Sequence, residues 1–80
     1  MIKKSVIIHE TSIVSQHSEI GDNTKIWHYS HIRENTKIGK NVTIGQNVYI
    51  DEGVTIGDNS KIQNNVSIYK GVKIGNNVFV

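Results

Sequence analysis

Isoleucine or valine occupies every sixth position of the chain from residue 8 onward: Ile8, Val14, Ile20, Ile26, Ile32, Ile38, Ile44, Ile50, Ile56, Ile62, Ile68, Ile74 and Val80. A six-residue period fits neither the turn of a helix nor the alternation of a flat, half-buried strand. One short unit must therefore be repeated along the whole length. Two residues before each aliphatic stands a small or β-branched residue, such as Ser18, Thr24, Ser30, Thr36, Val42, Val48, Val54 and Ser60. These positions predict a second, tighter inward ladder. Three residues before the aliphatic, Asn or Gly predominates: Asn23, Asn35, Asn41, Asn47, Gly53, Asn59, Asn65, Gly71 and Asn77. Both residue types accept the positive φ of a sharp corner. Each unit thus reads as a short extended strand followed by a corner, with β-branched residues favouring the strand and no proline interrupting it.

The number of units per coil follows from which of them look alike. Ile20, Ile38, Ile56 and Ile74 are each followed by Gly-x-Asn, so Gly21, Gly39, Gly57 and Gly75 recur every eighteen residues. Three hexads per coil produce that repeat and predict an all-β triangular prism of three parallel sheets. With stacked strands roughly 4.7 to 4.9 Å apart, the chain supplies a little over four coils. Residues 1–80 read as one domain without a linker.

Composition narrows the function. The net charge is +2, and the lysines are scattered rather than clustered, which is too little for a nucleic-acid footprint. The chain has no cysteine, which excludes disulfides and thiol catalysis. No apolar run is long enough for a membrane span or a signal peptide, so the expected location is cytoplasmic.

Stacking by eighteen sorts the outward side chains into columns. Asp22, Lys40 and Asp58 alternate in sign, and Arg33 lies beside Asp51; both read as exposed ion pairs. Trp27 falls over Gly45, whose missing side chain would leave room for the indole, with Gln63 one coil further on. Trp27, Tyr49 and Tyr69 are large aromatics of the kind favoured in subunit interfaces. The four histidines, His9, His17, His28 and His31, occupy four different positions of the repeat, which argues against a metal cage within one chain. Glu10, His28, Gln46 and Asn64 form the most polar column, next to Trp27 and Gln63. These amides beside an imidazole could recognise a sugar or a pantetheine amide. They could equally be a ladder satisfying corner backbone groups, the role favoured for Asn65 and left open for Asn64.

The strings Ile26-Trp-His-Tyr-Ser-His-Ile32, Ile44-Gly-Gln-Asn-Val-Tyr-Ile50 and Lys61-Ile-Gln-Asn-Asn-Val-Ser-Ile-Tyr69 resemble the N-terminal half of the bacterial hexapeptide-repeat nucleotide-sugar N-acetyltransferases. Those enzymes acetylate the amino group of UDP-2-acetamido-3-amino-dideoxyglucuronate or of dTDP-3-amino-dideoxyhexoses. The resemblance implies a single-stranded left-handed parallel β-helix, against the usual right-handed crossover. It also implies a homotrimer that binds acetyl-CoA and a nucleotide sugar between neighbouring prisms, with no resident metal and a role in surface-polysaccharide biosynthesis. A zinc site shared between subunits, as in the carbonic anhydrases built on the same coil, stays open. In the implied reaction an uncharged sugar amine attacks the acetyl thioester. His28 is the catalytic candidate, as positioning group or base; Trp27, Gln46, Gln63 and Asn64 are the substrate-binding candidates.

The resemblance also implies further coils beyond Val80 that complete the acetyl-CoA cleft. Residues 1–80 accordingly read as a β-helix domain truncated at its C-terminus, not expected to catalyse transfer alone. The alternative is a non-catalytic trimerising or scaffold module, which needs only the inward ladders. An ice-binding prism is disfavoured, since no outward face carries a regular threonine column.

Overall fold

In the computed structural model, which describes residues 5–80, the chain winds into coils of three two-residue strands. The first coil holds β1 (Ile7–Ile8), β2 (Ile13–Val14) and β3 (Glu19–Ile20), and the second β4 (Lys25–Ile26), β5 (His31–Ile32) and β6 (Lys37–Ile38). The third holds β7 (Thr43–Ile44), β8 (Tyr49–Ile50) and β9 (Thr55–Ile56), and the fourth β10 (Lys61–Ile62), β11 (Ser67–Ile68) and β12 (Lys73–Ile74). Three four-stranded parallel sheets result, in the orders β1-β4-β7-β10, β2-β5-β8-β11 and β3-β6-β9-β12. Register is in phase throughout: Ile8 pairs with Ile26, Ile26 with Ile44, and Ile44 with Ile62. The molecule is an all-β parallel solenoid of about four turns measuring 24 × 21 × 21 Å. Among the described residues there is no helix long and apolar enough to cross a membrane.

The core is the aliphatic ladder. Ile20, Ile26, Ile32, Ile38, Ile44, Ile50, Ile56, Ile62 and Ile68 are buried, whereas Ile8, Val14 and Ile74, in the first and last coils, are only partly covered. Val42, Val48 and Val54 form the tighter inward ladder together with the hydroxyl residues Ser18, Thr24, Ser30, Thr36 and Ser60. A hydroxyl in an apolar core is costly unless bonded, and these are bonded. Ser30 Oγ donates to the Gly45 carbonyl at 2.7 Å and accepts the Val48 N–H at 3.1 Å. Thr24 makes the same pair of bonds with Gly39 and Val42, and Ser60 with Gly75 and Val78. These three hydroxyls therefore stitch one coil to the next at a corner, where the sheet ladder is interrupted, whereas Ser18 and Thr36 donate to the Ser15 and Arg33 carbonyls of their own coil.

The expected corners are present. Asn23, Asn35, Asn41, Asn47, Asn59, Asn65 and Asn77, with Gly53 and Gly71, all have positive φ. In the later coils the corner N–H donates to a backbone carbonyl of the coil before it, as Asn47 does to His28 and Asn65 to Gln46. One residue joins this set without belonging to either type: Tyr29, at φ 56°.

Candidate functional site

The corner between β4 and β5, repeated between β7 and β8 and between β10 and β11, carries every residue expected at the site. Trp27 and His28 follow β4, Gln46 follows β7, and Gln63 and Asn64 follow β10. Backbone bonds fix their vertical order: Trp27 N–H donates to Ile44, Gly45 N–H to Ile62, Asn47 N–H to His28 and Asn65 N–H to Gln46. All five side chains lie on the exposed outside of the prism, the Trp27 residue being 38% accessible. The structure thus brings His28, Gln46 and Asn64 into one column and Trp27 and Gln63 into the column beside it.

Asn64 resolves one of the open alternatives. Its Oδ1 accepts the Gln46 backbone N–H at 2.9 Å, so half of its amide serves the corner. The Asn65 amide instead bonds a side chain, its Oδ1 accepting from Asn47 Nδ2 at 2.8 Å. Gly45 has its reason in the Asn64 contact. A Cβ on Gly45 would run into Asn64 Oδ1 and sit 3.0 Å from the Asn64 backbone nitrogen, so the vacant space serves the asparagine of the next coil. The same arrangement recurs where Asp58 Oδ1 accepts the Lys40 N–H beside Gly39, and where Asn76 Oδ1 accepts the Asp58 N–H beside Gly57. Asp58 thus spends its carboxylate on a corner N–H of Lys40.

Repetition at six and at eighteen residues, realised as stacked three-strand coils with Asn or Gly corners, is also what comparison with known families recognises. Residues 17–52 match the model for the bacterial transferase hexapeptide (six repeats), and residues 35–70 the model for the hexapeptide repeat of succinyl-transferase. Across these two stretches the chain is similar to the bacterial hexapeptide-repeat transferases. Members of that family are generally acyltransferases. No curated protein matches this hexapeptide-repeat chain.

Two features of this hexapeptide-repeat protein escaped the reading by columns of eighteen. The His28 ring lies against that of His9, nineteen residues earlier, with centroids 3.8 Å apart and planes tilted by 46°. His9 is held in turn by Thr11. Its Nδ1 accepts the Thr11 backbone N–H at 3.2 Å and lies 2.9 Å from Thr11 Oγ1, which accepts the Tyr29 N–H at 2.8 Å. Since Nδ1 is an acceptor, the proton of neutral His9 resides on Nε2. The offset could have been found in the sequence: a side chain one residue past the column leans back toward the preceding coil, as Asn64 and Asp58 do.

The second feature is an ionic cluster on the next sheet. Arg33 donates from Nε to Glu34 Oε1 at 3.0 Å and from a terminal nitrogen to Tyr49 Oη at 2.8 Å, with Asp51 Oδ1 at 3.8 Å. The contact expected between Arg33 and Asp51 is therefore present but is the longest of the three. These bonds hold the Glu34 carboxyl below the usual carboxylate range, chiefly through the Arg33 hydrogen bond, and hold Arg33 more firmly protonated. His31 meets the Tyr49 ring edge-on at 5.6 Å, so Tyr49 is packed within its own prism, whereas Tyr69 is exposed. Separately, an open groove of about 570 Å³ runs along β3, β6 and β9, bordered by Glu19, Lys37 and Thr55 and by the backbone of Gly21 and Gly39. Its glycines are legible as the eighteen-residue repeat, although a groove is not, because it depends on which neighbouring side chains stand up beside them.

Proposed function

We propose that this hexapeptide-repeat chain provides the acceptor side of an N-acetyltransferase that moves acetyl from acetyl-CoA to the amino group of a nucleotide-linked amino sugar. The observation that carries the reading is the corner cluster. Trp27, His28, Gln46 and Gln63 are not needed to bury the core, yet they stack on one outer edge where a neighbouring prism can close over them. Asn64 contributes its remaining amide group. The working unit is a homotrimer in the cytoplasm, where nucleotide sugars and acetyl-CoA are found together.

In this reaction the amine nitrogen attacks the thioester carbonyl, forming the C–N bond; collapse of the tetrahedral species breaks C–S, and the amine's proton ends on the departing thiolate. Attack requires a free, aligned lone pair, so the site must hold the amine neutral and in line. His28 receives the proton from the amine or orients the nitrogen, and the Gln46 and Gln63 amides hold the sugar. Donors aimed at the developing oxyanion supply the remaining stabilisation.

A scaffold module remains the second reading, favoured by one observation: the Asn64 amide bonds a corner N–H. Calorimetric titration of the folded chain with acetyl-CoA and with a UDP-linked 3-amino sugar separates the two. Heat from the UDP-linked amino sugar at micromolar concentration that is lost in His28→Ala supports the acceptor side of an enzyme. A folded chain silent toward both compounds is a scaffold.

A further inference from the structure

Tyr29 occupies a left-handed corner at φ 56°, where the other described left-handed corners hold asparagine or glycine. A tyrosine Cβ crowds the following carbonyl in this region, whereas asparagine's short polar side chain relieves the cost. Burial does not offset that cost, because Tyr29 is 71% exposed. Its corner is held by a side-chain hydroxyl, as the Asn23 corner is by Ser5. The stacked corners Asn47 and Asn65 donate their N–H to the backbone carbonyls of His28 and Gln46, whereas the Tyr29 N–H is received by the Thr11 hydroxyl at 2.8 Å. Through Thr11 the strained turn is tied to His9, and through His9 to the ring of His28. The Tyr29 ring stands 6.4 Å from His28, centroid to centroid.

Strain of this kind concentrates where a side chain must be aimed at a ligand. The chemistry around it indicates which part of a ligand. Residues 9–11, 27–29, 45–47 and 63–65 include no lysine or arginine, and apart from the histidines the single charged residue among them is Glu10. Within these windows a phosphate meets Glu10 and no lysine or arginine, the nearest in sequence being Lys25 and Lys61 on the adjoining strands. Aromatic faces beside planar amides instead suit an uncharged saturated ring bearing hydroxyl and amide groups. We propose that Tyr29 is a specificity residue whose ring lies against the sugar ring of the acceptor, and that the left-handed corner is retained to aim it. This rests on the acceptor site proposed above.

The test compares the chain with Tyr29→Asn and Tyr29→Phe, measuring thermal unfolding and calorimetric binding of UDP-N-acetylglucosamine and of UMP. Tyr29→Asn should raise Tm by about 4 °C, since it relaxes the corner. It should weaken UDP-N-acetylglucosamine binding roughly three- to tenfold, with UMP binding unchanged; Tyr29→Phe should keep both Tm and affinity. Undiminished sugar-nucleotide binding in Tyr29→Asn, or a lowered Tm, overturns the inference while leaving the acceptor site standing. Equal loss for UMP and the sugar nucleotide assigns Tyr29 to the base and overturns the sugar assignment. An unsubstituted chain that binds neither compound removes the acceptor site and this inference together.

Discussion

Asn64 reaches back one coil to accept the Gln46 backbone N–H at 2.9 Å, and it can do so only because residue 45 has no side chain. Gly45→Ala places a methyl group on Asn64 Oδ1 and against the following backbone, so the strand or the amide must move. The expected cost is about 1 to 3 kcal/mol, read by urea unfolding. The double variant Gly45→Ala/Asn64→Ala should cost less than the sum of the singles, because both act on the same contact.

Ser30 tests the hydroxyl stitches. Ser30→Ala removes the partner of both the Gly45 carbonyl and the Val48 N–H, bonds that lie in the buried interior. Leaving buried groups unsatisfied costs about 1 to 3 kcal/mol, and hydrogen exchange at Val48 should accelerate beyond what the global loss of stability explains.

The Arg33 cluster carries a pH dependence with a definite sign. Glu34 is depressed in the folded chain, so its contribution is present above the ordinary carboxylate pKa and is lost as pH falls through the lower folded value. Carbon NMR titration of Glu34 should give an apparent pKa below the usual carboxylate range, moving upward in Arg33→Gln. An unchanged value in that variant would mean that the 3.0 Å contact does not persist in solution.

Thr11→Val keeps the shape of the side chain but can neither accept the Tyr29 N–H nor bond His9 through a hydroxyl. The stability loss should be about 1 kcal/mol. Nitrogen NMR should show neutral His9 protonated at Nε2 in the parent chain and in the variant alike, because the Thr11 backbone N–H still donates to Nδ1.

The fold was legible because inward positions in a solenoid answer to one requirement, repeated. From Ile20 to Ile68 every ladder position is buried, and residue type alone reports the inside. At Ile8, Val14 and Ile74, in the first and last coils, the same residue type is less buried, which no residue-by-residue pattern encodes. The candidate corner was legible as far as columns go. Trp27, His28, Gln46, Gln63 and Asn64 share the edge expected of them, but Asn64 leans along the prism axis and His28 meets His9 instead of standing over Glu10. Side-chain lean is set by rotamers and local bonds, below the resolution of a period. Tyr29 shows the converse: its position in the repeat required a left-handed turn, although its residue type did not suggest one.

Strand pairing in this solenoid joins residues eighteen apart, as Ile26 to Ile44 and Ile38 to Ile56. The coil therefore behaves like a screw thread with a single phase. Loss of one residue near Gln46 would advance every later position by one step, turning the isoleucines outward and the lysines inward for the remainder of the column. A duplicated block of eighteen residues would instead seat as one more turn with every ladder intact. Changes in length are thus quantised, and the permitted increment is read directly from the spacing of Gly21, Gly39 and Gly57.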